Sequence, residues 1–89
     1  MIKFHYHRAV KAVPRLGIRR GDPLCHVYSD GSLDELVAWG EARGMKLEWL
    51  DRRNVMPHYD AFRTWLRFCG EGVSRKEFVG DVRRWRARG

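Results

Sequence analysis

Leu24-Cys25-His26-Val27-Tyr28-Ser29-Asp30-Gly31-Ser32-Leu33-Asp34-Glu35-Leu36-Val37 is the stretch whose reading decides the fold. Leu24 to Tyr28 reads as a short strand. Asp30-Gly31 is turn chemistry. Ser32 then opens a helix, with Glu35 at the reciprocal position of a capping box. Leu33, Leu36, Val37 and Gly40 recur at the spacing of one helical face, and Gly44 is a natural C-terminal stop. A glycine within that apolar stripe lets the helix approach a sheet closely.

Outward from this unit, residues 2–6 alternate apolar and polar, a first strand with Ile2, Phe4 and Tyr6 on one face. Residues 8–23 read as a long basic loop, with a short strand around Leu16 to Ile18. Leu47 to Leu50 reads as a third strand. With the strand and helix before it, that succession implies a right-handed parallel crossover. A polar loop over 51–57 ends in Pro57. Asp60 then caps a second helix with the apolar stripe Phe62, Trp65, Leu66 and Cys69, ended by Gly70. Val73 reads as a brief strand. Ser74 and Glu77 open a last helix with Phe78, Val82 and Trp85 inward and Arg75, Arg83, Arg84, Arg86 and Arg88 mostly outward. The order predicts an α/β fold: one small domain over 1–89, a three- to four-stranded mixed sheet flanked by about three helices.

Eighty-nine residues suit one domain, and four tryptophans, four phenylalanines and three tyrosines help a core of that size. No apolar run approaches the ~20 residues of a membrane span, so no membrane partner is expected. The first residues lack the apolar stretch of a signal peptide, which makes the cytoplasm the default compartment. Cys25 and Cys69 have no CxxC spacing and read as ordinary buried thiols. The net charge of +7 is unevenly spread. Residues 1–21 hold six basic and no acidic residues, 22–72 hold six and nine, and 73–89 hold six and two. That asymmetry favours anionic partners, nucleic acid first, against the plainer reading of a solvated surface.

Two motifs carry candidate chemistry. His26 and Asp30 flank the end of the second strand, and Pro57-His58-Tyr59-Asp60 follows the next loop. Groups at strand ends in α/β sheets converge on one crevice. Imidazole and carboxylate together can bind a divalent metal or act as base and orienter. Each residue also has a structural reading: Asp30 shaping a turn, Asp60 capping a helix, His58 bonding a backbone carbonyl. His5 and His7, two apart on a strand, share a face and are either a second ligand pair or a polar edge. The basic loop presents Arg8, Lys11, Arg15, Arg19 and Arg20, and the last helix adds Arg83 and Arg84. Such side chains contact phosphates without sequence preference. Val10, Val13, Leu16 and Ile18 are expected to tack the loop onto the core. No DNA- or RNA-binding signature, phosphate-cradling loop or catalytic motif is present. The aromatics at 62, 65, 78 and 85 sit at core spacing and give no evidence of base stacking. Trp39, off its helix's main stripe, either covers a sheet edge or marks an interface, as in a homodimer.

His26, Ser29-Asp30, Ser32-Leu33-Asp34-Glu35-Leu36, Gly44, Trp49, His58-Tyr59-Asp60, Val73-Ser74 and Glu77 together resemble a family of small bacterial and phage proteins recorded as a domain of unknown function. Its pattern is His-x(2,3)-Asp, a Leu-Asp-Glu-Leu helix start followed by His, then His-Tyr-Asp, and the resemblance covers roughly 22–80. Two positions depart from it: Phe4-His5-Tyr6-His7 stands where the family ends its first strand in aspartates, and Val37 replaces the histidine. An acidic metal site in the family would here be lost or rebuilt with histidines. Three functions follow as expectations. One is non-specific nucleic-acid binding through the basic loop and last helix. Another is a metal-assisted hydrolase or nuclease using His26, Asp30, His58 and Asp60. The last is a homo-oligomeric or accessory interaction module.

Overall fold

A computed structural model of the chain describes residues 1–52 and 56–88. Strand β1 (Ile2–Arg8) and strand β2 (Pro23–Ser29) pair antiparallel, with Phe4 opposite Val27 and His5 opposite His26. Helix α1 (Leu33–Ala42) follows. Strand β3 (Tyr59–Phe62) returns antiparallel to β2, with His26 opposite Asp60. Helix α2 (Arg75–Ala87) closes the chain. The sheet order is β1-β2-β3, so the fold is α/β on a three-stranded antiparallel sheet.

The antiparallel sheet corrects the mixed sheet and parallel crossover expected from sequence. Leu47–Trp49 is a 3-10 turn, not a strand. The edge of β2 expected for this segment is taken by β3. Leu47 and Trp49 are accordingly exposed, and only Leu50 is buried. The helix expected after Asp60 is likewise corrected. Asp60 lies within β3, and Arg63–Phe68 is a 3-10 helix capped by Phe62. The stripe at 62, 65, 66 and 69 has α spacing, but Phe62, Trp65 and Phe68 also recur every three residues, the 3-10 period, and so short a run supports both. Among the described residues the sheet gains a single parallel bridge beyond β1, Phe4 to Gly72. Residues 53–55 of the expected polar loop lie outside the described residues.

The two faces of the sheet differ in kind. Phe4, Cys25, Val27, Tyr59 and Ala61 point to one side, where Leu36 of α1, Met45 and Leu50 complete the apolar core. Ser32 caps α1 by accepting from the Glu35 amide. The Glu35 carboxylate does not close the box reciprocally; it accepts from Ser29 Oγ at 2.7 Å. Gly40 is the close approach expected of it, since a Cβ there would fall 2.8 Å from the Tyr59 ring. Trp39 is half-buried, edge-on to Phe4 and covered by the Arg43 guanidinium. It covers the core rather than standing free.

The opposite face carries Lys3, His5, His7, His26, Tyr28, Asp60 and Phe62, because strand side chains alternate. Helix α2 covers one end of it. Phe78 stacks on His5 at 4.0 Å, and Trp85 donates to Ser29 O at 2.8 Å. Asp81, fully buried, accepts from Tyr28 Oη at 2.6 Å and Lys3 Nζ at 3.0 Å and pairs with Arg84. The other end of this face holds the histidines.

Candidate functional site

The chain has four histidines, and all four meet on this face. The pairing register forces the meeting. His5, His26 and Asp60 stand opposite one another across the three strands, and cross-strand partners share a face. His7 lies two residues along β1 from His5, so its ring comes within 3.9 Å of His26. His58 enters from the bridge that pairs Asp51 with it, and its ring is 4.6 Å from His26.

Asp60 is the hub. Its Oδ1 lies 3.3 Å from His26 Nε2 and 3.5 Å from His58 Nε2. Asp51 Oδ2 is 3.9 Å from His58 Nε2. The His58 Nδ1 is 3.1 Å from the Met56 carbonyl. A carbonyl can only accept, so Nδ1 carries the proton and the bond aims Nε2 at the carboxylates. Ligating histidines are commonly oriented this way. Two triads have ligand atoms within 4.8 Å of one another, His7-His26-Asp60 and Asp51-His58-Asp60, and Asp60 belongs to both. His7 Nε2 and His26 Nδ1 are buried without a hydrogen-bond partner among the described residues. Buried polar atoms are rarely left so. Neutral imidazole nitrogens with carboxylate oxygens are the donor set of zinc and neighbouring divalent ions.

Burial pushes His26 down to about 4, helped by the neighbouring His7 and His58. Burial likewise lowers His7 and His5. All three are therefore neutral imidazoles near pH 7. Burial opposes charge on His58, but the Asp60 carboxylate and the Met56 carbonyl outweigh it and raise its pKa. Asp60 goes the other way. Burial would raise it, yet its bond to His58 and the nearby His26 and His7 hold it below the usual carboxylate range.

The sequence reading placed Asp30 with His26, His58 and Asp60. The structure brings the last three together and leaves Asp30 out. It sits beyond the opposite end of β2, four residues or about 13 Å from His26. There it pairs with Lys3 Nζ at 3.3 Å. Asp60 is not a helix cap. Asp51 was missed as a site residue; its signal was only its place in the loop before His58. His5 and His7 do face His26, and His7 joins a triad while His5 packs under Phe78.

The expected phosphate contacts occupy two regions. Arg8, which ends β1, and Lys11, Arg15, Arg19 and Arg20 on the loop between β1 and β2 are all exposed, and Arg83 and Arg84 are exposed on α2. Ile18 is buried and Val13 half-buried, bridged to each other, while Val10 is 85% exposed and anchors nothing. Ile18 and Val13 thus anchor the loop as expected, and Arg63 adds a bond, donating to Gly17 O at 2.7 Å. Arg63 does so from the left-handed backbone region, at φ 53°, where a non-glycine residue is uncommon. Beside the histidines, a cavity of about 690 Å³ includes Asp51 and Asp60 in its wall, with Trp49, Trp65 and Arg15 from the basic loop.

Residues 13–84 match the family described as protein of unknown function (DUF4031), and the chain belongs to that family. It is also similar to an uncharacterized protein, YneQ, of Bacillus subtilis (strain 168), at 46% identity over 28 residues. That stretch is 32% of this chain and spans 28% of the length of that relative. No solved structure matches the chain. Among the described residues no helix is long and apolar enough to cross a membrane.

Proposed function

We propose that this member of the DUF4031 family is a metal-assisted hydrolase of nuclease type, built on the histidine face of its sheet. One observation carries the reading: His7, His26 and His58 converge on Asp60, and His7 Nε2 and His26 Nδ1 are buried without a hydrogen-bond partner among the described residues. His7, His26 and Asp60 would hold a divalent ion. Such an ion lowers the pKa of bound water and polarises a phosphoryl oxygen. His58, fixed by Met56 and beside Asp51, is placed to take up or return a proton at Nε2. The exposed arginines of the basic loop would hold the anionic substrate by its backbone, without sequence readout.

The test is metal content after purification without a histidine tag, followed by zinc and manganese titration of the apo protein. His7→Ala, His26→Ala and Asp60→Ala should each lose the ion. His58→Ala should keep it, yet lose at least tenfold in cleavage of a chromogenic phosphodiester. If all four variants bind metal like the wild type, the site does not exist. Two equivalents in the wild type and one in His58→Ala would instead make Asp51-His58-Asp60 a second metal site.

The alternative, non-specific nucleic-acid binding without chemistry, is favoured by the exposure of Arg8 at the end of β1 and of Lys11, Arg15, Arg19 and Arg20 on the loop after it. Mobility shift on short duplexes that weakens steeply with salt, with no metal and no turnover, would select it.

A further inference from the structure

The cavity beside the histidines is shaped for one chemical class. Trp49 and Trp65 meet edge to face at 5.5 Å and 73° in its wall, with Phe62 beside them. Trp49 is 43% exposed, on the turn that the sequence suggested would be a third strand. Part of its indole is exposed, with Lys46 Nζ 5.9 Å from the ring centroid, and an exposed aromatic ring can stack on a planar partner. Arg15 and Arg52 supply two guanidinium groups to the same cavity. Its remaining polar wall is Glu48 with Asp51 and Asp60, the last two being the carboxylates of the two triads. Those carboxylates would repel an anion by themselves; a bound cation reverses that.

The basic loop is brought to this cavity by construction. Arg15 and Leu16 belong to the 3-10 turn Pro14–Leu16 and line the cavity wall. The tether that holds the turn is the Arg63 bond to Gly17 O, made from a strained backbone. Strain of that kind persists where surrounding structure imposes it. The sequence showed a basic loop and a set of aromatics as separate features. The fold puts the tip of one over the other.

We infer that this cavity is a nucleotide subsite. A base stacks on Trp49, and the phosphate lies toward Arg15, Arg52 and the Asp60 metal centre. The occupant is a base bearing a phosphate, either as a free nucleoside monophosphate or as one unit of a single strand. Aromatic side chains serve every base in this way without reading sequence. The inference rests on the hydrolase reading for the neutralising metal, but not for the stacking and arginine contacts.

Calorimetric titrations of adenosine monophosphate, adenosine and a short oligothymidylate, each with zinc and again with EDTA, test it. Adenosine monophosphate should bind in both conditions, at least fivefold tighter with zinc, and adenosine should bind more weakly. Trp49→Ala should lose about tenfold or more in affinity for the nucleotide while binding zinc as the wild type does. Arg15→Glu, on an exposed loop residue that cannot disturb the core, should weaken the monophosphate but leave adenosine unchanged. The oligonucleotide binding much more tightly than the monophosphate assigns the subsite to a strand, and the reverse assigns it to free nucleotides. No nucleotide binding with or without zinc overturns the subsite, even if zinc itself binds. Nucleotide binding that survives in a protein unable to bind zinc overturns the metal centre alone. Trp49→Ala and Arg15→Glu binding like the wild type would also sink the subsite.

Discussion

Asp81→Asn should destabilise the protein substantially without changing its shape. The carboxylate is fully buried and holds three partners: Tyr28 Oη at 2.6 Å, Lys3 Nζ at 3.0 Å, and Arg84. Breaking a buried charge pair typically costs 3–5 kcal/mol, because the surviving charge is left without compensation. Here the survivor is not abandoned. Lys3 also contacts Glu77 at 2.9 Å and Asp30 at 3.3 Å, and the asparagine oxygen can still accept from Tyr28. Arg84 is 64% exposed and can turn to water. We therefore expect a loss of about 2–3 kcal/mol, at or below the lower bound of that range. For a chain of this length, 1 kcal/mol moves the melting temperature by roughly 4–8 °C. The variant should thus melt at least 8 °C lower by circular dichroism. Its acid limb should change too. Burial would raise the Asp81 carboxyl, but Tyr28, Lys3 and Arg84 hold it below the ordinary value. A depressed pKa contributes stability that is present in full above the unfolded carboxyl's ~3.9 and is lost as pH falls through the folded value. The wild type should lose that share below about pH 4, and Asp81→Asn should lack the step. A variant within 0.5 kcal/mol of wild type at pH 7, about the scatter of an ordinary surface substitution, would refute the view that Asp81 docks α2 onto the sheet.

Two further substitutions probe the apolar face and the basic loop. Gly40→Ala gains about 1 kcal/mol of helix propensity. Against that, the new methyl group meets the Tyr59 ring at 2.8 Å, and overpacking costs roughly 1–3 kcal/mol. We expect a net loss of about 1 kcal/mol in urea denaturation, and a more stable variant would mean that the helix can back away freely. The Arg19→Glu, Arg20→Glu double variant should melt within about 2 °C of the wild type, since both side chains are exposed and surface charges contribute little. The same variant should lose mobility-shift binding to short duplexes at low salt. Retained binding would remove the loop from the interface.

Local chemistry made much of this protein legible from sequence. The strand, turn and capped helix from Leu24 to Gly44 follow from alternation, Asp-Gly turn preference and a serine cap, all of which act within a few residues. The last helix behind Ser74 follows for the same reason. The histidines and Asp60 could be named as candidates because few other residue types do their chemistry. Pairing was not legible. Which segment takes the free edge of β2 depends on competition between residues 47–50 and β3, two short stretches with similar apolar content. That choice is made by the whole chain at once. It turned Asp60 from a helix cap into the hub of a cluster and left Asp30 with Lys3 at the far end of β2. It also drew Asp51 and His7 into the triads and set Trp49 facing the cavity beside Arg15. Side-chain identity is a property of the sequence. Which side chains share a sheet face is a property of the register, and the register exists only once the strands have met.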